Sequence, residues 1–132
     1  MDVLKVIYDA LMEDSFIREQ ASGRIKYYEY PESGNVTEPY IIIDPLDVPQ
    51  PSDFADDTWL TYDVLYQIDV WTKNRNVTRQ LAECIQQIMW KKGFSQIGGL
   101  DQYEDKIFRD ARRFRGKLYR EDFDSIAQNI EE

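Results

Sequence analysis

The 132-residue sequence has no histidine and only one cysteine, Cys84. Without histidine, the chain has no Ser-His or Cys-His catalytic pair, no imidazole metal ligand and no unshifted side chain that titrates near neutral pH. A single cysteine cannot form an intrachain disulfide, and no secretory leader pattern opens the sequence, so we expect a cytoplasmic protein. These absences disfavour most enzyme classes. We expect no catalytic residues, no metal and no cofactor.

Long apolar runs and positive charge are also scarce. The apolar runs, such as Tyr40 to Ile43, are far shorter than the roughly 18 residues that span a bilayer, so we expect no membrane association. The sequence has 25 acidic against 16 basic residues and a formal net charge of -9. This balance disfavours extensive contact with nucleic acid, so any such contact must be local.

The length and the apolar content predict one folded unit. The chain is close to the typical domain size of about 100–150 residues, and 42% of it is hydrophobic. We predict a single domain over residues 1–119, followed by an acidic C-terminal tail over residues 120–132. The predicted fold class is α+β, with a mainly antiparallel sheet and two α-helices packed on one face.

The first half of the chain predicts a helix, a hairpin and a loop. Apolar residues at helical spacing follow the candidate N-cap Asp2, and this helix should end near Asp14. The alternating segment 24–30 and the run 40–43 predict two strands that pair as a hairpin. Residues 44–57 contain three prolines and five aspartates, so they predict a long loop.

The second half predicts the longest strand and the most regular helix. Residues 59–72 alternate with an apolar face from Leu60 to Val70, which we expect to be core along its whole length. A second helix should start at Asn76 and stop at Gly93, with a break at residues 98–99. Periodicity leaves residues 107–118 open between helix and strand.

The charged residues are distributed unevenly. Seven of the sixteen basic residues lie within residues 106–120, whereas residues 41–72 have no basic residue and seven aspartates. This separation of charge is typical of a head-to-tail contact between identical subunits. The candidate interface residues are Arg109, Arg112, Arg113, Arg115, Asp53, Asp56, Asp57, Asp63 and Asp69.

The charged segments also suggest two other functions, nucleic-acid binding and metal binding. Residues 106–120, with nearby aromatic side chains, could serve a small regulatory nucleic-acid-binding protein, although the net charge opposes this. A metal site at Asp53, Asp56 and Asp57 is disfavoured because the spacing has neither the glycine nor the closing glutamate of an EF-hand loop.

The order of motifs resembles that of a known family. A short N-terminal helix is followed by Gly-Arg-Ile at 23–25, Glu-Pro-Tyr-Ile-Ile-Ile at 38–43, Tyr-Gln-Ile-Asp-Val-Trp-Thr at 66–72, a helix, and Phe-Arg-Asp-Ala-Arg-Arg-Phe-Arg-Gly at 108–116. This pattern resembles the tail-completion and tail-terminator proteins of long-tailed bacteriophages and prophages. The likeness extends to about Tyr119 and does not include the C-terminal tail.

The resemblance implies a non-enzymatic structural protein of the virion. It implies a ring, typically of six copies, at the head-proximal end of the tail, which ends the tail tube and joins tail to head. The implied partners are other copies of the chain, the tail tube protein, a head-completion or connector protein, and DNA that passes transiently through the ring. In this family the Arg-Phe-Arg stretch is a strand, so we assign residues 107–118 to a strand.

The family reading gives the charged residues two possible roles. The segment from Asp47 to Asp57 would face either the lumen, where negative charge keeps DNA from binding, or the arginines of a neighbouring subunit. In the second case, charge reversal at Arg112 and Arg113 should weaken assembly.

Overall fold

The structure, a computed structural model, describes residues 2–122 and is an α+β fold, as predicted. Its helices and strands are α1 (Val3–Met12), α2 (Ser15–Ala21), β1 (Ile25–Tyr27), β2 (Tyr40–Pro45), β3 (Gln50–Ala55), β4 (Thr58–Thr72), α3 (Arg75–Lys91), β5 (Phe94–Glu104) and β6 (Ile107–Tyr119). The strands form one sheet in the order β1-β2-β4-β6-β5, and β3 pairs with β4. No helix within residues 2–122 is long and apolar enough to cross a membrane.

The helical layer has three helices rather than the two predicted. As expected, the Asp2 side chain caps α1 by accepting a hydrogen bond from the Lys5 backbone N–H. The helix without a counterpart in the prediction is α2, which follows the expected end of the first helix and begins because Asp14 accepts from the Ile17 N–H at 3.0 Å. The third helix, α3, is capped by Asn74 and not by Asn76.

The first two strands do not form the predicted hairpin. β1 pairs with β2 in parallel, with Ile25 opposite Ile41, and β1 is only three residues long. Residues 28–39 connect the two strands, which is about the dozen residues that a parallel connection needs. The sequence pattern indicated two strands but carried no information on their relative direction.

Part of the segment predicted as a loop is a strand. β3 pairs antiparallel with the start of β4, and Asp56 and Asp57 connect the two strands, both with positive φ. Positive φ at both central residues defines the type I′ turn that suits hairpins, and aspartate tolerates it. Pro51 is accommodated because β3 is an edge strand that pairs only with β4.

The two strands at the C-terminal end are long and continuous. β6 pairs antiparallel with β4 from Tyr119–Thr61 to Phe108–Thr72, which confirms the strand assignment of the arginine-rich segment. The predicted break at residues 98–99 is instead a bulge inside β5. Gly116 leaves room for the Phe94 ring, since a Cβ there would lie 2.4 Å from a ring carbon.

The core lies between the three helices and one face of the sheet. Its most buried large side chains include Phe114, Ile68, Ile41 and Leu81. The predicted core face of β4 is buried from Val64 to Val70, but Leu60 is 52% exposed. The expectation that the whole strand face is core was therefore wrong at its N-terminal end.

Candidate functional site

The sheet has a second face, called here the open face, which points away from the helices. Strand register places the two predicted charged groups on it side by side, because Asp69, Gln67 and Asp63 of β4 alternate with the core residues. Opposite them on β6 lie side chains of the arginine-rich segment, among them Arg113 and Lys117. The acidic and basic segments therefore meet inside one subunit.

Asp69 is the centre of a hydrogen-bond network on the open face. Its carboxylate is 8% exposed and accepts from Arg109 Nη2 at 2.7 Å, Arg109 Nε at 3.0 Å and Gln67 Nε2 at 2.9 Å. Arg109 also donates to Gln102 Oε1, and Arg113 donates to Gln67 Oε1. A charge buried to this degree is stable because a charged partner and several hydrogen bonds satisfy it.

A row of stacked side chains extends this network to the edge of the sheet. The Tyr30 ring stacks on Tyr40 at 4.1 Å between centroids, and Tyr40 stacks on Trp71 at 5.9 Å. The Arg109 guanidinium carbon lies 4.9 Å from the Trp71 ring centroid. Arg109 is thus held by a carboxylate and an aromatic face, which fixes its position on the open face.

At the opposite end of the sheet, strands extend beyond the helices. We call this part the arm, and define it as β3, residues 58–63 of β4 and residues 117–119 of β6. Lys117 Nζ lies 2.8 Å from Asp53 Oδ2 and 3.8 Å from Asp63 Oδ1, and Thr61 Oγ1 donates to Asp53. The hydrogen bond from Lys117, with that from Thr61, holds the pKa of Asp53 below its ordinary value.

Arg112 is separated from the other candidate residues. It lies opposite Ile68, on the helix-covered face, and its guanidinium donates to both carboxylate oxygens of Asp110 and to Gln96. Burial raises the pKa of the Asp110 carboxyl despite this pairing. Charge reversal at Arg112 would therefore disturb the fold of the subunit itself, so Arg112 is a poor probe of assembly.

Four candidate residues keep charge available for a partner. Within residues 2–122, Asp56 and Asp57 have no ion pair or side-chain hydrogen bond, and Arg113 and Arg115 have no carboxylate partner. All four are exposed. Asp53, Asp63, Asp69 and Arg109 already have partners in their own subunit. Only part of the predicted charged interface is left free for a second molecule.

The pairing also bears on the nucleic-acid alternative. Lys117 and two of the arginines of segment 106–120 neutralise aspartates of the same chain, at Asp53, Asp110 and Asp69. These ion pairs reduce the positive charge that the segment offers to phosphates, on which such binding depends. Within residues 2–122, no group of three or more Cys, Asp or Glu side chains is placed to hold a metal ion.

Sequence reasoning missed the stacked row and the pairing of charges within the subunit. Both depend on strand register, which places Tyr40 beside Trp71 and Lys117 beside Asp63. Alternation along β4 and β6 shows which residues of each strand share a face. The partner of each residue follows only once the register is known: in this sheet, opposite residues have numbers that sum to 180. A single sequence does not determine this register.

No protein-family model and no curated protein match the chain. Twelve chains of solved structures are similar to its fold. One belongs to a structure described as "Virion of native gene transfer agent (GTA) particle". The similarity has a TM-score of 0.59 at 15% sequence identity and covers 86% of this chain and 91% of that chain. At this identity the likeness shows a shared fold.

Proposed function

We propose that this chain is a non-enzymatic structural protein of a phage or phage-like virion. The observation that carries the proposal is the fold shared with a chain of the gene transfer agent particle, over nearly the full length of both chains. The motif order resembles that of tail-completion and tail-terminator proteins. The shared fold and the motif order support the same conclusion.

The finer proposal is a ring at the head-proximal end of the tail. In it, identical subunits end the tail tube, contact a head-completion or connector protein, and let DNA pass. A globule of this length has a radius of gyration of about 14 Å, and six such globules in contact leave a hole wide enough for duplex DNA. The ring would locate the protein to the head–tail junction of the virion after assembly in the host cytoplasm.

The contact between neighbours would use the charges left free in the subunit. Asp56 and Asp57 form the exposed tip of the arm, next to Phe54, which is 74% exposed. Arg113 and Arg115 lie on the open face without a carboxylate partner among residues 2–122. Seating the tip of one arm on the open face of the next copy would pair these charges head to tail, which generates a closed ring when the rotation closes.

The test is the mass of the assembly, measured by light scattering behind a sizing column. We expect a closed oligomer that dissociates as salt increases, because exposed charge pairs are screened. Arg113→Glu with Arg115→Glu should dissociate it, and adding Asp56→Arg with Asp57→Arg should restore it. The control is Arg75→Glu with Lys91→Glu, which changes the net charge equally on the exposed surface of α3.

Two results would overturn parts of this proposal. If Arg113→Glu with Arg115→Glu assembles like the original chain, the arm-to-open-face contact is wrong, although the ring can stand. If the protein stays monomeric at all salt concentrations and also on incubation with purified tail tubes, the tail-terminating ring is wrong.

A further inference from the structure

The arm carries an apolar surface that the helices do not reach. Its end forms an open cleft of about 550 Å³ lined by residues 58–60 and 119–121. Leu60, on the helix side of the sheet, is 52% exposed there, and Tyr119, which pairs with Thr61 on the open-face side, is 69% exposed. Leu60 continues the row of β4 residues that is buried under the helices from Val64 onward, so this part of the apolar sheet face lacks a cover among residues 2–122.

The chain leaves the sheet at this cleft, where contacts of Arg120 hold the backbone after β6 in place. Arg120 directly follows β6, and its guanidinium carbon lies 4.1 Å from the Trp59 ring centroid. Arg120 Nη1 also donates to Thr58 Oγ1. Residues 120–122 are helical, so the chain that follows starts beside the cleft.

The sequence of residues 123–132 has the apolar spacing of an amphipathic helix. Phe123, Ile126 and Ile130 are their large apolar residues, and they recur at spacings of three and four. This spacing places side chains on one stripe of an α-helix. Ten helical residues extend about 15 Å, which is similar to the roughly 20 Å length of six residues of a strand such as 58–63.

We propose that the C-terminal segment 123–132 binds the cleft of the arm in its own molecule, with Ile126 facing Leu60. Because segment 123–132 is joined to the arm at Asp122, binding within one molecule is favoured over binding to a second copy. A short linker gives an effective concentration in the millimolar range. The interaction surface is the apolar end of the arm, and its partner is the chain's own amphipathic C-terminal segment. The proposal does not depend on the ring.

Disulfide trapping in the full-length chain tests this contact. Cys84→Ala removes the native thiol, and Leu60→Cys with Ile126→Cys places a pair across the proposed contact. The matched control pairs Leu60→Cys with Gln128→Cys, since positions 126 and 128 lie about 200° apart around a helix. We expect the 60–126 disulfide to form about tenfold faster than the 60–128 disulfide under mild oxidation, because bridging needs close Cβ atoms.

The product distinguishes the possible occupants of the cleft. A monomeric product, at a rate independent of protein concentration, supports binding within one molecule. Covalent dimers whose yield rises with concentration would show that a second copy fills the cleft, and would overturn the proposal. Equal rates for the two pairs would overturn it as well.

A second measurement keeps the test independent of the cysteine variants. In the otherwise native chain, Ile126→Asp should accelerate amide hydrogen exchange in residues 58–63 by several-fold, while exchange in β2 stays unchanged. Gln128→Asp, with the same added charge on the opposite side of the predicted stripe, should leave both regions unchanged. Identical exchange in the native chain and in Ile126→Asp would also overturn the proposal.

Discussion

Strands β4 and β6 run through two regions that differ sharply in burial. Beneath the helices, Ile68 of β4 and Phe114 of β6 are 2% and 1% exposed, whereas at the arm Leu60, on the same face of β4, is 52% exposed. The alternating pattern is similar in both regions, and only the helical cover changes. Alternation therefore identifies which residues share a face but not how far the core extends along it.

The two regions also treat charge differently. On the open face, next to the stacked row, Asp69 is 8% exposed and is satisfied by Arg109 and Gln67. On the arm, Asp53 and Lys117 pair while each stays about half exposed. An exposed pair of this kind contributes little to stability because water and salt screen it. The arm therefore keeps its ion pair at the surface, whereas Asp69 is held inside a hydrogen-bond network.

This contrast explains what the sequence could predict. The helix α1, strand β4 and the strand assignment of residues 107–118 followed from local pattern and resemblance. The parallel pairing of β1 with β2 and strand β3 did not, because strand partners and the tolerance of Pro51 at an edge are tertiary facts. The same holds for the candidate site. Its residues were identified by charge alone, while the pairing of Asp69 with Arg109 needed the register.

The largest expected effect is a difference in the free energy of unfolding between a core variant and an arm variant. Phe114→Ala should lower the free energy of unfolding by about 3–5 kcal/mol, since it removes a buried aromatic side chain and leaves a cavity. Leu60→Ala should cost less than Phe114→Ala, because the helices leave that side chain 52% exposed and it loses only the contact proposed with the C-terminal segment. Urea unfolding of both variants measures the difference. Similar losses would show that the arm is as tightly packed as the core.

An intermediate effect is expected at alkaline pH, where a buried tyrosine loses its proton and folding stability falls. Burial raises the pKa of Tyr66 to about 12, from an ordinary value of 10.0. Because the folded state holds this proton more tightly than the unfolded state, the stability it confers is complete below pH 10 and is lost as the pH rises toward 12. The free energy of unfolding should fall by about 1 kcal/mol per pH unit in that interval.

Two variants assign that alkaline loss to the covered region. Tyr66→Phe should flatten the decline between pH 10 and 12, and part of the slope should remain because burial also raises the pKa of Tyr27 and Tyr40. Phe54→Leu, an exposed change on the arm that removes no tyrosine, should leave the decline unchanged. Unfolding curves at several alkaline pH values measure this. An unaltered slope in Tyr66→Phe would refute the assignment.

The smallest expected effect concerns the ion pair of the arm. The pKa of Asp53 is lowered first by the hydrogen bond from Lys117 and next by that from Thr61. A lowered carboxyl pKa adds stability above the ordinary value of 3.8, and that stability is lost as the pH falls through the folded-state pKa. Lys117→Gln should raise the pKa of Asp53 part of the way back, because Thr61 Oγ1 still donates.

Carboxyl-resolved NMR titration at low and high salt measures this pKa directly. Added salt should reduce the shift in the native chain more than in Lys117→Gln, because the variant keeps only the neutral hydroxyl donor. Lys91→Gln, an exposed change on α3, controls for the loss of one positive charge at a distance. An equal Asp53 pKa in the native chain and in Lys117→Gln would mean that Lys117 does not engage this carboxylate in solution. The arm would then also present Asp53 to a partner, beside Asp56 and Asp57 at its tip.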